Sequence, residues 1–442
     1  MSHEVLNRLK DSGKGIAGLF SKLIPSLYGQ DASVKRSIYK WLLIGLLIRL
    51  AFMPFTVYFP DLLGVYWRSS FTAYQGIFSG GLQIFIHYFH AFFLWIFKPL
   101  MPYFDSILYD SQMRGKPSWE MLGTFVSHPN VFRTLFLFKV PYLLFDLACA
   151  FLLLRIFKDD KKGLAAFIFW MVNPVIIFAT YIAARHEVIA IFFILLSLYY
   201  ARNNLSARSL LSLGVSIIIR FYPLILLPFF IVILGRRFWE RVKLAFWGIL
   251  PLGLLMILTR LFHETTKVEK LARTPQGQYL LSMAFYLGYL SDRVFIFVAI
   301  YAVLLLYTIF RTDHSFTSLW RMLLILLLGI FATSFFHVHY FMWLVPFLTL
   351  QMVEDRRFIG LFGILVLGWI VYSFQWKGVF AGLLFTPINV RYFMSLPSPF
   401  EIINEYYSAA NFIGIWRSIF SGVCLWMMYL VLRESIAQKE KR

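Results

Sequence analysis

The chain has 442 residues, of which 60% are hydrophobic, 19% aromatic and only 14% charged, with a formal net charge of +20. So much apolar surface exceeds what a water-soluble core of this size can bury, which excludes a soluble enzyme and points to a bilayer. The excess Lys and Arg residues sit in short clusters between apolar runs, a pattern that encodes membrane topology and not nucleic-acid binding.

Residues 1–35 read as a cytoplasmic amphipathic arm, with Leu6, Leu9, Ile16, Phe20, Leu23 and Ile24 set against Arg8, Lys10, Lys14 and Lys22. They lack the continuous apolar core of a signal peptide. Residues 36–442 read as a single all-α polytopic membrane domain. Its first span runs from about Ile38 to Phe59, and Lys35, Arg36 and Lys40 put its start inside, so Asp61 emerges outside. The next span, about Phe132 to Phe157, ends in the inner signature "KDDKKG", which makes residues 60–131 one large outer loop. Within that loop, "GLQIFIHYFHAFFLWIFKPL" reads as a helix lying at the outer interface or dipping into the membrane, with His87, His90 and Trp95 at headgroup level. Counting it as a span would put "KDDKKG" outside.

Hairpins follow. Spans reach Ile182 and return from Val188 to Tyr200, reach Arg220 and return to Leu234, and run from Leu244 to Phe262 and from Val294 to Phe310. Leu319 to Phe335, Tyr340 to Met352, Phe358 to Phe374 and Asn411 to Leu432 complete about twelve spans, with both termini inside. The segments assigned inside hold more than half of the 42 Lys and Arg residues. Cys149 and Cys424 fall in apolar runs and offer neither a disulfide framework nor a metal spacing. No Gly-rich nucleotide loop, HExxH or CxxC occurs, so the sequence supports no bound cofactor and no divalent metal.

This topology collects the unusual polar residues on the outer face. Asp61 and Arg68 follow the first span; Arg185, His186 and Glu187 form the turn "AARHEV"; Arg220 tops one hairpin; His337 and His339 top another. Arg49, deeper in the first span, is expected to pair with a neighbouring helix or to snorkel. Ionisable groups at membrane depth are costly and usually face a cavity, so these clusters suggest one shared polar site. Carboxylates and cations together suit a lipid-linked phosphosugar, with a carboxylate as general base and the cations holding the departing phosphate. A transporter or flippase of lipid-linked sugars or organic anions is the alternative, although such proteins often carry internal repeats and midplane charges.

The pattern "PDLLGVYWRS", "FKVPYLLFDLACAFLLLRIF", "NPVIIFATYIAARHEVIAIFFILLSLYYA", "IIIRFYPLILLPFF" and "FFHVHYFMWLVPF" resembles the GT-C glycosyltransferases. The likeness is greatest to the mannosyltransferases that add the first mannose of GPI anchors and to bacterial enzymes that extend phosphatidylinositol mannosides. It implies a multi-pass enzyme of the plasma (inner) membrane whose site faces the extracytoplasmic side. Such an enzyme moves a hexose, mannose favoured, from a polyprenyl-phosphate donor to a lipid or glycan acceptor with inversion. The resemblance matches Asp61 to the acidic residue taken as the base, and Asn173-Pro174, Arg185-His186-Glu187, Arg220, Tyr222, Pro223, His339, Tyr340, Trp343 and Pro346 to the other motif positions. Arg68, Arg185, His186, Glu187, Arg220, Tyr222, His337, His339 and Tyr340 are the expected substrate-binding residues. Many relatives carry two acids in the first loop, whereas here Leu62 and Leu63 follow Asp61, so Asp61 acts alone or with Glu187.

Overall fold

A computed structural model describes residues 31–77, 84–103, 119–262, 275–288 and 292–440. The amphipathic arm lies outside them as far as residue 30, and its last residues already belong to the first helix. In a bilayer every backbone N–H and C=O must be satisfied within the chain, which favours helix throughout. Among the described residues the only sheet is an antiparallel ribbon, β1 (Ala284–Tyr286) and β2 (Arg293–Phe295), with Phe285 opposite Val294.

Helix α1 (Ala32–Phe52) stops short of the span end expected at Phe59. A turn leads into α2 (Phe59–Gln75), with Pro60 in its first turn, where a missing N–H costs nothing. Then come α3 (Ile84–Phe97), packed along α2, α4 (Trp119–Val126) and the long α5 (Val131–Ile156). The Asp159 side chain caps α6 (Asp160–Met171), and the Asn173 side chain caps a second start, α7 (Pro174–Ile177). The chain continues through a π-helical turn, Phe178–Ile182, bent by 44° from α6.

The hairpin α8 (Glu187–Arg202) and α9 (Ser206–Ile219) is followed by a 3-10 segment (Tyr222–Leu226), α10 (Leu227–Leu234) and α11 (Phe238–Phe262). Next are α12 (Pro275–Leu280), the ribbon, α13 (Ile296–Arg311), α14 (Phe316–Thr333), a 3-10 segment (Val338–Trp343), α15 (Val345–Glu354) and α16 (Arg357–Ser373). Short turns, α17 (Val390–Ser395) and α18 (Pro399–Asn404), lead to α19 (Ala409–Glu440).

The fold is thus all-α, and each apolar run read as a span is helical over most of its length. Among the described residues, five helices are long and apolar enough to cross a membrane, or six if the bent pair at Asn173 counts as one. Ser206–Ile219, Tyr222–Leu234 and Ile296–Arg311 are apolar but shorter. Leu47, Phe246, Ile257 and Trp426 lie exposed on α1, α11 and α19, the arrangement expected of lipid-facing side chains.

The basic segments meet at one end of the bundle. Lys162 Nζ pairs with Glu354 at 2.6 Å, Arg357 and Arg321 reach Glu434 at 3.1 and 3.3 Å, and His314 Nδ1 donates to Ile233 O at 2.8 Å. This end is the one read as cytoplasmic. A membrane-impermeant thiol reagent applied from outside should therefore label Tyr406→Cys in the exposed turn before α19, and label Trp239→Cys only after permeabilisation. The reverse result would invert the orientation. Native Cys149 and Cys424 are buried and contribute little background.

Midway along the bundle, Arg49 is fully buried and paired. Its Nε donates to Asp146 Oδ2 at 2.5 Å, and Nη1 donates to Gly45 O at 2.9 Å and to Met171 O at 2.6 Å. Asp146 also accepts from Trp170 Nε1 at 2.7 Å and from Tyr181 Oη at 2.6 Å. A Cβ on Gly45 would lie 3.0 Å from both Met171 O and Arg49 Nη1, so the missing side chain is what lets α1 and α6 approach. The network ties α1, α5 and α6 to the π-helical turn that precedes Arg185. Removing one partner of a buried pair costs about 3–5 kcal/mol, so Asp146→Ala should lower the unfolding temperature in detergent sharply. An unchanged temperature would remove the pair from the stabilising core.

Candidate functional site

Four chain turns at the other end of the bundle converge on Glu187. It is the first residue of α8, and its side chain is fully buried. The turn before it places Ala184 at φ 53°, a left-handed conformation that costs a non-glycine residue about 1–2 kcal/mol. Arg185 N donates to Ala179 O at 2.9 Å and fixes that turn. Arg220 caps α9 in an extended conformation, with its guanidinium directed at Glu187.

Arg220 Nη2 donates to Glu187 Oε1, and Arg185 Nη2 lies 3.4 Å from the same oxygen. Arg185 Nη1 pairs with Asp61 Oδ2. His339 Nε2 stands 3.6 Å from Glu187 Oε1, beyond a good hydrogen bond. Asp61 lies in the first turn of α2, where the helix N-terminus favours a carboxylate, and its side chain is 39% exposed. Two carboxylates therefore face two guanidinium groups, one acid partly exposed and one fully buried.

The cluster is underbonded. Glu187 Oε2, Arg185 Nε, Arg220 Nε, His186 Nε2, Tyr222 Oη, Trp343 Nε1 and both ring nitrogens of His339 are buried without a hydrogen-bond partner. Buried polar atoms are paired in the great majority of cases, so this concentration leaves donors and acceptors for water or a ligand to satisfy.

One wall is aromatic. Tyr222 stacks on Trp343 at 3.9 Å between centroids, and Tyr340 stacks on the same indole at 4.2 Å. His339 meets Tyr340 edge-on at 4.6 Å, and His337 is stacked beside His339 at 5.6 Å. Tyr279 Oη is hydrogen-bonded to His337 Nε2 at 3.1 Å. Burial first, and the Arg185 charge second, push the His337 imidazole down to about 4, against a smaller upward pull from Glu187. Between about 4 and 6.5 the unfolded chain binds this proton and the folded chain does not, so stability should fall as pH drops through that window and stay level above it. His337→Gln should lessen that slope in unfolding scans, without abolishing it, because other buried imidazoles remain.

Among the residues expected from the sequence, Asp61, Arg185, Glu187 and Arg220 meet in one network, and His186, Tyr222, His339 and Tyr340 border it. His337 stands one ring further out. Arg68 lies nearly two turns beyond Asp61 along α2, exposed and outside the cluster.

Of the residues expected at headgroup level, His90 is fully buried inside the protein, whereas Trp95 is 64% exposed. His90 Nδ1 donates to Ile86 O at 2.6 Å, which leaves Nε2 to accept from Tyr142 Oη at 2.8 Å. Its ring lies 5.8 Å from His186, so α3 closes the back of the site. Lys139, also missed, donates from Nζ to Thr56 O at 2.5 Å and pins the turn that leads to Asp61. The available signal was its position, since Lys139 and Asp146 are ionisable residues inside a span.

Among the described residues no group of three or more His, Cys, Asp or Glu side chains could hold a metal ion. No protein-family model, curated protein or solved structure matches the chain. Fold and site together define a class: an all-helical protein with several helices able to cross a membrane and a charge-balanced, underbonded cluster at one end of its bundle.

Proposed function

We propose that the chain is an integral membrane glycosyltransferase of the GT-C type, with about twelve membrane-associated helical segments and its site on the extracytoplasmic face of the plasma (inner) membrane. It moves a hexose, mannose favoured, from a polyprenyl-phosphate donor to a lipid or glycan acceptor. The observation that carries this reading is the convergence of Arg185 and Arg220 on buried Glu187, beside the more exposed Asp61 and among unpartnered polar atoms. Guanidinium groups suit a phosphate, which they can grip through two oxygens at once. The Tyr222–Trp343–Tyr340 stack offers apolar faces for a sugar ring.

In the reaction, the acceptor hydroxyl oxygen forms a bond to the anomeric carbon from the face opposite the phosphate. The bond between that carbon and the phosphate oxygen breaks, and its electron pair leaves with the phosphate, held by Arg220 with help from Arg185 and His339. The hydroxyl proton passes to Asp61, and the anomeric centre inverts. A transporter reading gains little from the mid-bundle Arg49–Asp146 pair, which is tied by hydrogen bonds to surrounding backbone and side chains.

The test is incubation of purified protein in detergent with radiolabelled polyprenyl-phosphate mannose or glucose and phosphatidylinositol-based acceptors, following label into the acceptor lipid. Arg220→Lys keeps the charge but loses the fork, so donor use should fall about tenfold or more with the fold intact. Transfer undiminished by Arg220→Lys and Arg220→Ala would remove Arg220 from the site. Uptake of labelled donor into vesicles without transfer would favour the transporter.

A further inference from the structure

The cluster is electrically balanced before any ligand arrives, because Asp61 and Glu187 already occupy Arg185 and Arg220. A phosphate entering it brings negative charge into a buried region, where an uncompensated charge is costly. One carboxylate has to yield. Glu187 is fully buried, with two guanidinium groups on one oxygen, and has nowhere solvated to go. Asp61 is 39% exposed, and its one ion pair is to Arg185 Nη1. Each arginine also keeps a buried Nε without a partner, ready for an incoming oxygen.

We propose that the phosphate of the substrate and the carboxylate of Asp61 compete for Arg185, so that donor binding releases Asp61. The inference rests on the reading of the cluster as a phosphate seat. A carboxylate held against a guanidinium is a weaker base than a free one. While the site is empty, Asp61 is masked; once the phosphate holds Arg185, the carboxylate swings free on its exposed side, where an acceptor hydroxyl arrives. The order of events is thereby imposed by charge balance: donor first, base second, acceptor third.

The test measures binding of farnesyl phosphate, a short prenyl phosphate without sugar, to the purified full-length protein in detergent by calorimetry. Asp61→Asn removes the competitor and should bind at least about fivefold tighter than the unchanged protein, the lower end of typical coupling between two ligands of one site. Asp61→Glu keeps a competing carboxylate and should bind as the unchanged protein does. In an Arg185→Lys or Arg185→Ala background the gain from Asp61→Asn should shrink or vanish, which isolates the coupling through Arg185. Thermal unfolding in the same detergent verifies that each variant is folded. Equal or weaker binding by Asp61→Asn, with Arg220→Ala still impaired, would overturn the competition and leave the phosphate seat standing. Binding by Arg220→Ala equal to that of the unchanged protein would remove the seat, and the competition with it.

Discussion

Asp61→Asn is expected to reduce sugar transfer by at least about a hundredfold, within the range typical of a lost general base. The amide preserves size and one acceptor oxygen but cannot take the proton. Because the loss lies in the transition state, it should appear in kcat and not as weakened donor binding. If Asp61 competes with phosphate for Arg185 as proposed, the split should sharpen, with turnover falling while affinity for the donor phosphate rises. Since Asp61 is partly exposed and outside the packed core, the variant should express and unfold like the unchanged protein. Retention of most of the activity would end the assignment of Asp61 as the base.

Glu187→Gln is expected to act in the opposite way, on stability first. Arg185 and Arg220 share Glu187 Oε1 in a fully buried setting, so the amide leaves two guanidinium groups with a single carboxylate between them. Breaking such a pair from one side costs about 3–5 kcal/mol, and the retained amide oxygen should bring this variant to the lower end. A marked drop in unfolding temperature should follow, with transfer lost through misplacement of both arginines. A phosphate ligand supplies the missing charge, so farnesyl phosphate should raise the unfolding temperature of Glu187→Gln by more than it raises that of the unchanged protein. If the variant is as stable as the unchanged protein, Glu187 does not organise the cluster.

Much of this arrangement was legible in the sequence because hydropathy and charge act at short range. Apolar runs gave the helices, and the basic segments gave one common end. By the same alternation, the turns "AARHEV", "IIIRFYP" and "FFHVHYF" fall at the opposite end. The choice of partner was not legible. Helical periodicity tells which face a residue occupies, but not that Arg49 meets Asp146 from a helix 97 positions away. Nor does it reveal that Arg185 bridges Asp61 and Glu187. Nor was it legible that His90, on a helix that reads as interfacial, is buried inside the protein by packing against α2 and α5. The number of spans is similarly a matter of context, since proline breaks and 3-10 segments shorten several helices below the length that crosses a membrane unaided.

The π-helical turn Phe178–Ile182 sets the angular phase of everything after it. A wide turn of this kind holds one residue more than an α-helical turn, and each residue advances an α-helix by about 100°. Were the extra residue deleted and the turn closed to ordinary α-helix, the following chain would rotate by about that angle around the axis of α7. Arg185 would then face away from Asp61, with every amino acid of the site still present. The arrangement of the cluster is therefore encoded as much in a count of residues between Asn173 and Arg185 as in the identity of the charged groups themselves.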